Sequence, residues 1–101
     1  MNKQDITFKI GDNGCRIYAI CNGKNIGNIF FVRVGRDKIL ISETEIDPEY
    51  KSQNIEFYLV QEIIKIARTQ HRKITSICPY ISEIFSMHPE FDDVRMLNNG
   101  R

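Results

Sequence analysis

Apolar and polar residues alternate over residues 6–10, where Ile6, Phe8 and Ile10 share one side, the pattern of a strand buried on one face. Gly11-Asp12-Asn13-Gly14 is a turn by composition, and a second strand follows over 15–21. Asn22-Gly23 is a strong hairpin signal, because both residues tolerate the positive φ of a two-residue turn. It leads into a third strand over 25–34. There the run Ile29-Phe30-Phe31-Val32 is apolar on both faces and predicts a central position. Gly35-Arg36-Asp37 turns the chain into a fourth strand over 38–46. Four strands joined by short turns make an antiparallel meander.

At Asp47-Pro48 the period changes. Proline cannot donate to a ladder, so the fourth strand ends there. Ile55, Leu59, Ile63, Ile66 and Ala67 then recur at helical spacing, widened by Phe57, Val60 and Ile64, and predict one long helix over 53–70. At ~1.5 Å per residue it is about 25 Å long, enough to cover a sheet face. Residues 74–78 read as a fifth strand, and the strand–helix–strand crossover favours parallel pairing with the fourth. Pro79 suits the first position of a second helix over 80–87, and Pro89 stops that helix. Residues 91–97 read as one more short strand, and 98–101 as a frayed end. With no repeat, linker or low-complexity run, residues 1–101 are expected to form a single domain.

Composition narrows the function classes. Fourteen Lys and Arg against thirteen Asp and Glu leave a net charge of +1, which argues against nucleic acid and membrane surfaces as partners. No apolar run approaches the ~20 residues of a bilayer span. The first residues lack the apolar stretch of a secretory signal, so a cytoplasmic location is expected. Cys15, Cys21 and Cys78 form no CxxC pair and, with only His71 and His88, indicate neither a disulfide framework nor a metal site.

The candidate chemistry gathers where the fourth strand feeds the long helix. Backbone N–H groups and the helix dipole converge at such a junction and favour anions. Ser52 is placed to cap the helix. Cys78 stands at the end of the fifth strand and immediately before the second helix, where thiols become nucleophilic; it reads equally as a small buried hydrophobe. Cys15 and Cys21 read as strand packing, and His88-Pro89-Glu90 as the closure of the second helix. Arg68, His71, Arg72 and Lys73, clustered at the end of the long helix, read as dipole complementarity rather than as a binding patch.

The order of elements, together with Thr44-Glu45-Ile46 before Asp47-Pro48, Lys51-Ser52-Gln53-Asn54, Ala67-Arg68, Cys78-Pro79-Tyr80-Ile81 and His88-Pro89-Glu90-Phe91, resembles the small single-domain GNAT-like N-acetyltransferases over residues 6–94. The resemblance implies a minimal α+β GNAT fold with a mixed sheet. Its fourth and fifth strands would splay around a cleft lined by Glu45, Ile46, Cys78 and Tyr80. It implies acetyl-CoA as co-substrate, held by Glu45, Ile46 and the segment Lys51, Ser52, Gln53, Asn54, Ile55 and Glu56, and an amine of a small molecule or peptide as acceptor. Cys78 would be an acyl acceptor or a lining of the acetyl pocket, and Tyr80 a general acid; Glu43, which departs from the family's histidine, reads as a general base or as a solvated residue at the strand end.

Ser52 and Asn54 stand where the family has loop glycines, and Glu56 where it has a small residue. A carboxylate ~6 Å from a phosphate charge costs about 3 kcal/mol at an effective dielectric near 20. These departures leave open a non-catalytic binding module derived from the same fold. The chain is also too short to build an acceptor pocket of its own, so a protein partner or a homodimer is one way to complete it.

Overall fold

The computed structural model describes residues 6–95 and contains one five-stranded sheet in the order β1-β2-β3-β4-β5. Strands β1 (Ile6–Gly11), β2 (Arg16–Cys21), β3 (Lys24–Val34) and β4 (Lys38–Ile46) form the expected antiparallel meander. Helix α1 (Ile55–Gln70) carries the chain over the sheet to β5 (Lys73–Ser76), which pairs with β4 in parallel. Helix α2 (Pro79–Met87) and a 3-10 turn (Pro89–Phe91) follow.

The hairpin residues Asn22 and Gly23 have φ of 52° and 79°, the pair of positive values that the tight turn requires. One face of the sheet carries Ile17, Ala19, Cys21, Ile29, Phe31, Ile39, Ile41 and Ile74, all buried. Helix α1 meets them with Ile55, Leu59, Val60, Ile63, Ile64 and Ala67. Burying side chains of this size contributes roughly 1.5–3 kcal/mol each, so α1 is held by its apolar stripe rather than by helix propensity. Helix α2 adds Ile81 and Phe85 to the same core. Its C-terminal end is fixed on α1 through stacked rings, with His88 4.8 Å and Phe91 6.0 Å from Phe57.

Three boundaries differ from the sequence expectation by two residues or more. The long helix begins at Ile55 rather than 53, because Asn54 takes a left-handed φ of 61° after a 3-10 turn over Pro48–Gln53. Ser52 therefore lies inside that turn and does not cap α1. The fifth strand stops at Ser76 rather than 78, since Ser76 Oγ accepts the Cys78 N–H at 3.0 Å and ends the ladder. The strand expected over 91–97 is a 3-10 turn and a further turn, with only an isolated parallel bridge between Arg95 and Ile74. Pro89 sets the turn conformation there, and residues 96–97, like the expected frayed end, lie outside the described residues.

Two members of the basic cluster make hydrogen bonds at the surface. Arg68 grips Asp93 with two hydrogen bonds of 2.9 and 3.0 Å, and Arg72 donates to the carbonyls of Gly35 and Lys38. Both guanidiniums tie the end of α1 to neighbouring loops.

Candidate functional site

The site is made by a change of partner within β4. Its pairing with β5 runs from Lys38–Lys73 to Ile41–Ser76 and ends with a long bond from Ile77 N–H to Ile41 O at 3.4 Å. At the same level a β-bulge interrupts its pairing with β3: Phe31 lies opposite Ile41, and Phe30 opposite Glu43, leaving Ser42 as the extra residue. A bulge bends its strand and increases the twist. Residues 42–46 therefore continue along β3 alone, while the chain after β5 turns into α2. The gap between them is a hollow of about 480 Å³ lined by Thr44, Glu45, Ile46, Lys51, Glu56, Cys78 and Tyr80.

The bulge also decides which side chains face this hollow. Ile39, Ile41, Glu43 and Glu45 have the same parity in the sequence and would share one face of a regular strand. Because Ser42 is extra, the alternation resets: Thr44, opposite buried Ile29, and Ile46, against Gly27 and Ile55, point toward α1. Glu43 and Glu45 point to the helix-free face, opposite Phe30 and Asn28. Gly27 makes the junction compact, since a Cβ there would sit 2.9 Å from Ile46 Cδ1 and 3.1 Å from Glu45 O.

Two helices begin at the cleft. Helix α1 has no side-chain cap at Asn54, and its first α-helical bond is Tyr58 N–H to Asn54 O at 3.2 Å. The preceding N–H groups of its first turn have no partner within the helix. Asn54 supplies the left-handed backbone that a glycine would otherwise be needed for. Cys78 is the N-cap of α2, half-buried and without a side-chain cap bond, with Pro79 as the first helical residue. Both positive dipole ends thus meet at the hollow and favour an anion there, each by roughly 0.3–1 kcal/mol.

Glu56 opposes them. Its charge, then burial and then Glu83, raise the Tyr80 phenol above its usual value of 10.0. Tyr80 is consequently a protonated hydrogen-bond donor at neutral pH, not a base. Thr44 Oγ1 is buried at the cleft wall and has no hydrogen-bond partner among the described residues, an arrangement that a polar ligand would resolve.

The other candidate residues lie nearby but not on the cleft lining. Ser52 and Gln53 sit in the 3-10 turn, and Ile55 is fully buried in the core, so only its backbone is available. Asn54 opens onto an adjoining groove between α1 and α2 that also holds Phe57, Tyr80, Ile84 and Met87. Glu43 is exposed on the helix-free face, 3.8 Å from Arg16 Nη2.

Sequence reasoning missed three residues around the site. Asn28, 9% exposed, accepts from Arg16 Nη1 at 2.5 Å and donates to Glu45 Oε1 at 3.4 Å. Thr44 and Gly27 complete the set. An asparagine inside the apolar stretch Ile26 to Val32 was the available signal for Asn28; nothing in the sequence marked the bulge that aims Thr44 inward.

The model of the GCN5-related N-acetyl-transferase family matches residues 10–94, and the chain belongs to that family. The fold agrees. A GCN5-like protein from Staphylococcus aureus, solved by NMR, superposes with a TM-score of 0.74 at 21% identity, covering 93% of this chain and 92% of that one. N-acetylglutamate synthase from Neisseria gonorrhoeae, complexed with coenzyme A and N-acetyl-glutamate, gives 0.64 at 15% identity, covering 84% of this chain and 22% of that one. An aminoglycoside N-acetyltransferase in complex with CoA gives 0.54 at 12% identity, over 75% and 57% of the two chains. No curated protein matches the sequence.

Proposed function

We propose that the protein is an acetyl-CoA-dependent N-acetyltransferase that acetylates an amine of a small molecule or peptide. The observation that carries this reading is the hollow between β4 and β5, on which two helix N-termini, Cys78 and the buried unpartnered Thr44 hydroxyl converge. CoA in two structures of the same fold supports the choice of carrier.

The residues present fit the carrier. Backbone N–H groups of α1's first turn, with Lys51 beside them, would hold its phosphates. Ser52, Gln53 and Asn54 present that turn, and Ile55 anchors it in the core. The free edge of β4 at Glu45 and Ile46 would pair with the extended arm. Acetyl-CoA supplies a thioester, an acyl group already activated for transfer. Thr44 Oγ1 would orient a polar group of the bound arm. Cys78 Sγ lines the acyl end of the cleft or accepts the acyl group, and Tyr80 Oη offers a proton there. Glu43, held by Arg16 outside the hollow, is less suited than Glu45 to act on a group within it.

The single domain over residues 1–101 is taken as the functional unit, with a protein partner or second copy completing the acceptor side. Free cysteines at 15, 21 and 78 suit a reducing compartment, consistent with the cytoplasm. Among the described residues, no helix is long and apolar enough to cross a membrane.

Calorimetric titration with acetyl-CoA tests the reading. Saturable binding is expected; none at millimolar ligand would sink it. Cys78→Ala should abolish turnover if Sγ accepts the acyl group and only weaken it if Sγ lines the pocket. Saturable binding without turnover on any amine would instead favour a non-catalytic module, the reading that Glu56 at the head of α1 supports.

A further inference from the structure

The net charge of +1 averages two unlike ends of the molecule. Residues 43–56, which line and flank the cleft, carry five carboxylates and one lysine. Segments 33–38 and 68–73 carry six of the chain's fourteen Lys and Arg and a single carboxylate, Asp37. The fold joins these two segments at the far end of α1, whose 16 residues span about 24 Å from the cleft. Arg72 Nη1 donates to the carbonyls of Gly35 and Lys38, and the Lys73 N–H donates to Asp37 O at 2.8 Å. A hollow of about 390 Å³ opens there, with Arg68, His71, Arg72, Lys73 and Asp93 in its lining.

This basic pole is not neutralised from within. Arg68 pairs with Asp93, but among the described residues Arg33, Arg36, Lys38, Arg72 and Lys73 form no ion pair. Like charges are instead set side by side. Lys38 stands opposite Lys73 in the β4–β5 ladder, a pairing that works against the fold. Arg33 Nε and Arg72 Nε donate to the same Gln70 Oε1, at 3.1 and 3.0 Å, so two guanidiniums converge on one neutral oxygen. The dipole of α1 accounts for cations in its last turn, where it is worth about half a charge. It does not account for Arg33, Arg36 and Lys38, which belong to β3, β4 and the turn between them.

Uncompensated cations held together suit a ligand with many anionic groups. A protein partner would need an apolar or aromatic anchor, and a membrane a side chain to insert. Val34 is the single large apolar residue of the two segments, and neither has a Phe, Tyr or Trp on which an unpaired base could stack. The phosphates of a nucleic-acid duplex need charge alone. We propose that this pole binds the phosphate backbone of a nucleic-acid duplex, without regard to base sequence and apart from the cleft. Its guanidiniums are already set in place. Arg33 lies 5.5 Å over the Phe31 ring and donates to Gly14 O, Arg72 is fixed by its two carbonyls, and Arg68 by Asp93. A preformed fork loses less freedom on meeting a phosphate. Arg36 and Lys38 extend the surface as exposed side chains. This assignment stands independently of the acetyltransferase reading.

The test titrates the full chain into fluorescein-labelled 20-bp duplexes, two DNA duplexes of unrelated sequence and one RNA duplex, and follows anisotropy. Saturable binding at ~1–100 µM is expected in ~50 mM salt, alike for both DNA sequences. Doubling the salt should weaken it about tenfold, the slope for roughly four neutralised phosphates. Arg36→Ala with Lys38→Ala should cost at least fivefold and about halve that slope. Neither side chain makes a hydrogen bond or ion pair among the described residues, so this variant should keep the native fold by circular dichroism. Lys24→Ala, which removes a cation at the acidic end, should change duplex affinity by less than twofold. Amide NMR shifts with unlabelled duplex should fall on residues 33–38 and 68–73.

No duplex binding at 100 µM protein in ~50 mM salt would overturn the inference, including the case where vesicles of phosphatidylserine bind instead. So would binding indifferent to salt, an equal loss in Lys24→Ala, a tenfold preference between the DNA sequences, or shifts centred on the cleft.

Discussion

Glu56→Gln is the sharpest perturbation of the proposed carrier site. The native carboxylate is half-buried in the first turn of α1 and lines the cleft with Lys51, Cys78 and Tyr80. Full exposure of a phosphate ~6 Å away to this charge would cost about 3 kcal/mol at an effective dielectric near 20. Partial solvation raises the effective dielectric, and at ~60 the same pair costs about 1 kcal/mol. Two helix N-termini together offset a similar amount, so the site tolerates Glu56 without favouring it. The variant should therefore bind acetyl-CoA about fivefold more tightly in low salt by calorimetry, with the gain shrinking at ~0.5 M salt as screening takes over.

Tyr80 gives an independent readout. Glu56 is the largest cause of its raised phenol pKa, and removing a negative charge stabilises the phenolate, so the value should fall toward 10.0 when followed by ring NMR. An unchanged affinity at low salt, or a gain that persists at high salt, would refute the electrostatic argument. A Tyr80 titration unmoved by the substitution would place Glu56 outside its reach.

Three further perturbations test the frame around the cleft. Gly27→Ala forces a Cβ against Ile46 Cδ1 at 2.9 Å and Glu45 O at 3.1 Å, and should destabilise the fold by about 1–3 kcal/mol in urea; a loss below ~0.3 kcal/mol would show the junction to be loosely packed. Deleting Ser42 removes the bulge but keeps Thr44 inward and Glu45 outward, so a folded protein with weakened acetyl-CoA binding is expected, whereas native affinity would mean the bulge does not open the cleft. Asp47→Asn removes a carboxylate whose pKa is lowered from 3.8, first by the Glu49 N–H and then by Lys24. Its stabilisation is fully present above the unfolded value and lost as pH falls through the lower folded one. The Tm gap to the native protein should hold from pH 7 to about 4 and close only below that; closure between pH 7 and 5 would contradict the assignment.

The residues that drew the fold from the sequence are those whose neighbours are local. Asn22-Gly23 needs only its own backbone preference to make a hairpin, and the stripe from Ile55 to Ala67 needs only helical period. The helical period alone starts α1 two residues early, because the left-handed turn at Asn54 follows from the packing of the 3-10 segment, which Lys24 ties down through Asp47 at 3.2 Å. The cleft residues Glu45, Ile46, Cys78 and Tyr80 were legible as neighbours through the family resemblance, and all four line the hollow.

Their facing was not legible. Ile39, Ile41, Glu43 and Glu45 carry an unbroken alternation, and only the pairing with β3 reveals that Ser42 is extra. The same bulge separates Glu43 from the hollow and turns Thr44 into it. Asn28 and Arg16 are twelve residues apart, and their contact depends on the register between β2 and β3, which no local pattern specifies.

The central claim is that acetyl-CoA binds across the start of α1 and along the free edge of β4. Amide NMR during an acetyl-CoA titration reads it residue by residue. The account predicts saturable shifts concentrated at Ile55, Glu56 and Phe57, at Thr44 to Ile46, and at Cys78 and Tyr80. Saturable shifts centred instead on Arg68 to Lys73, or none at millimolar acetyl-CoA, would contradict it.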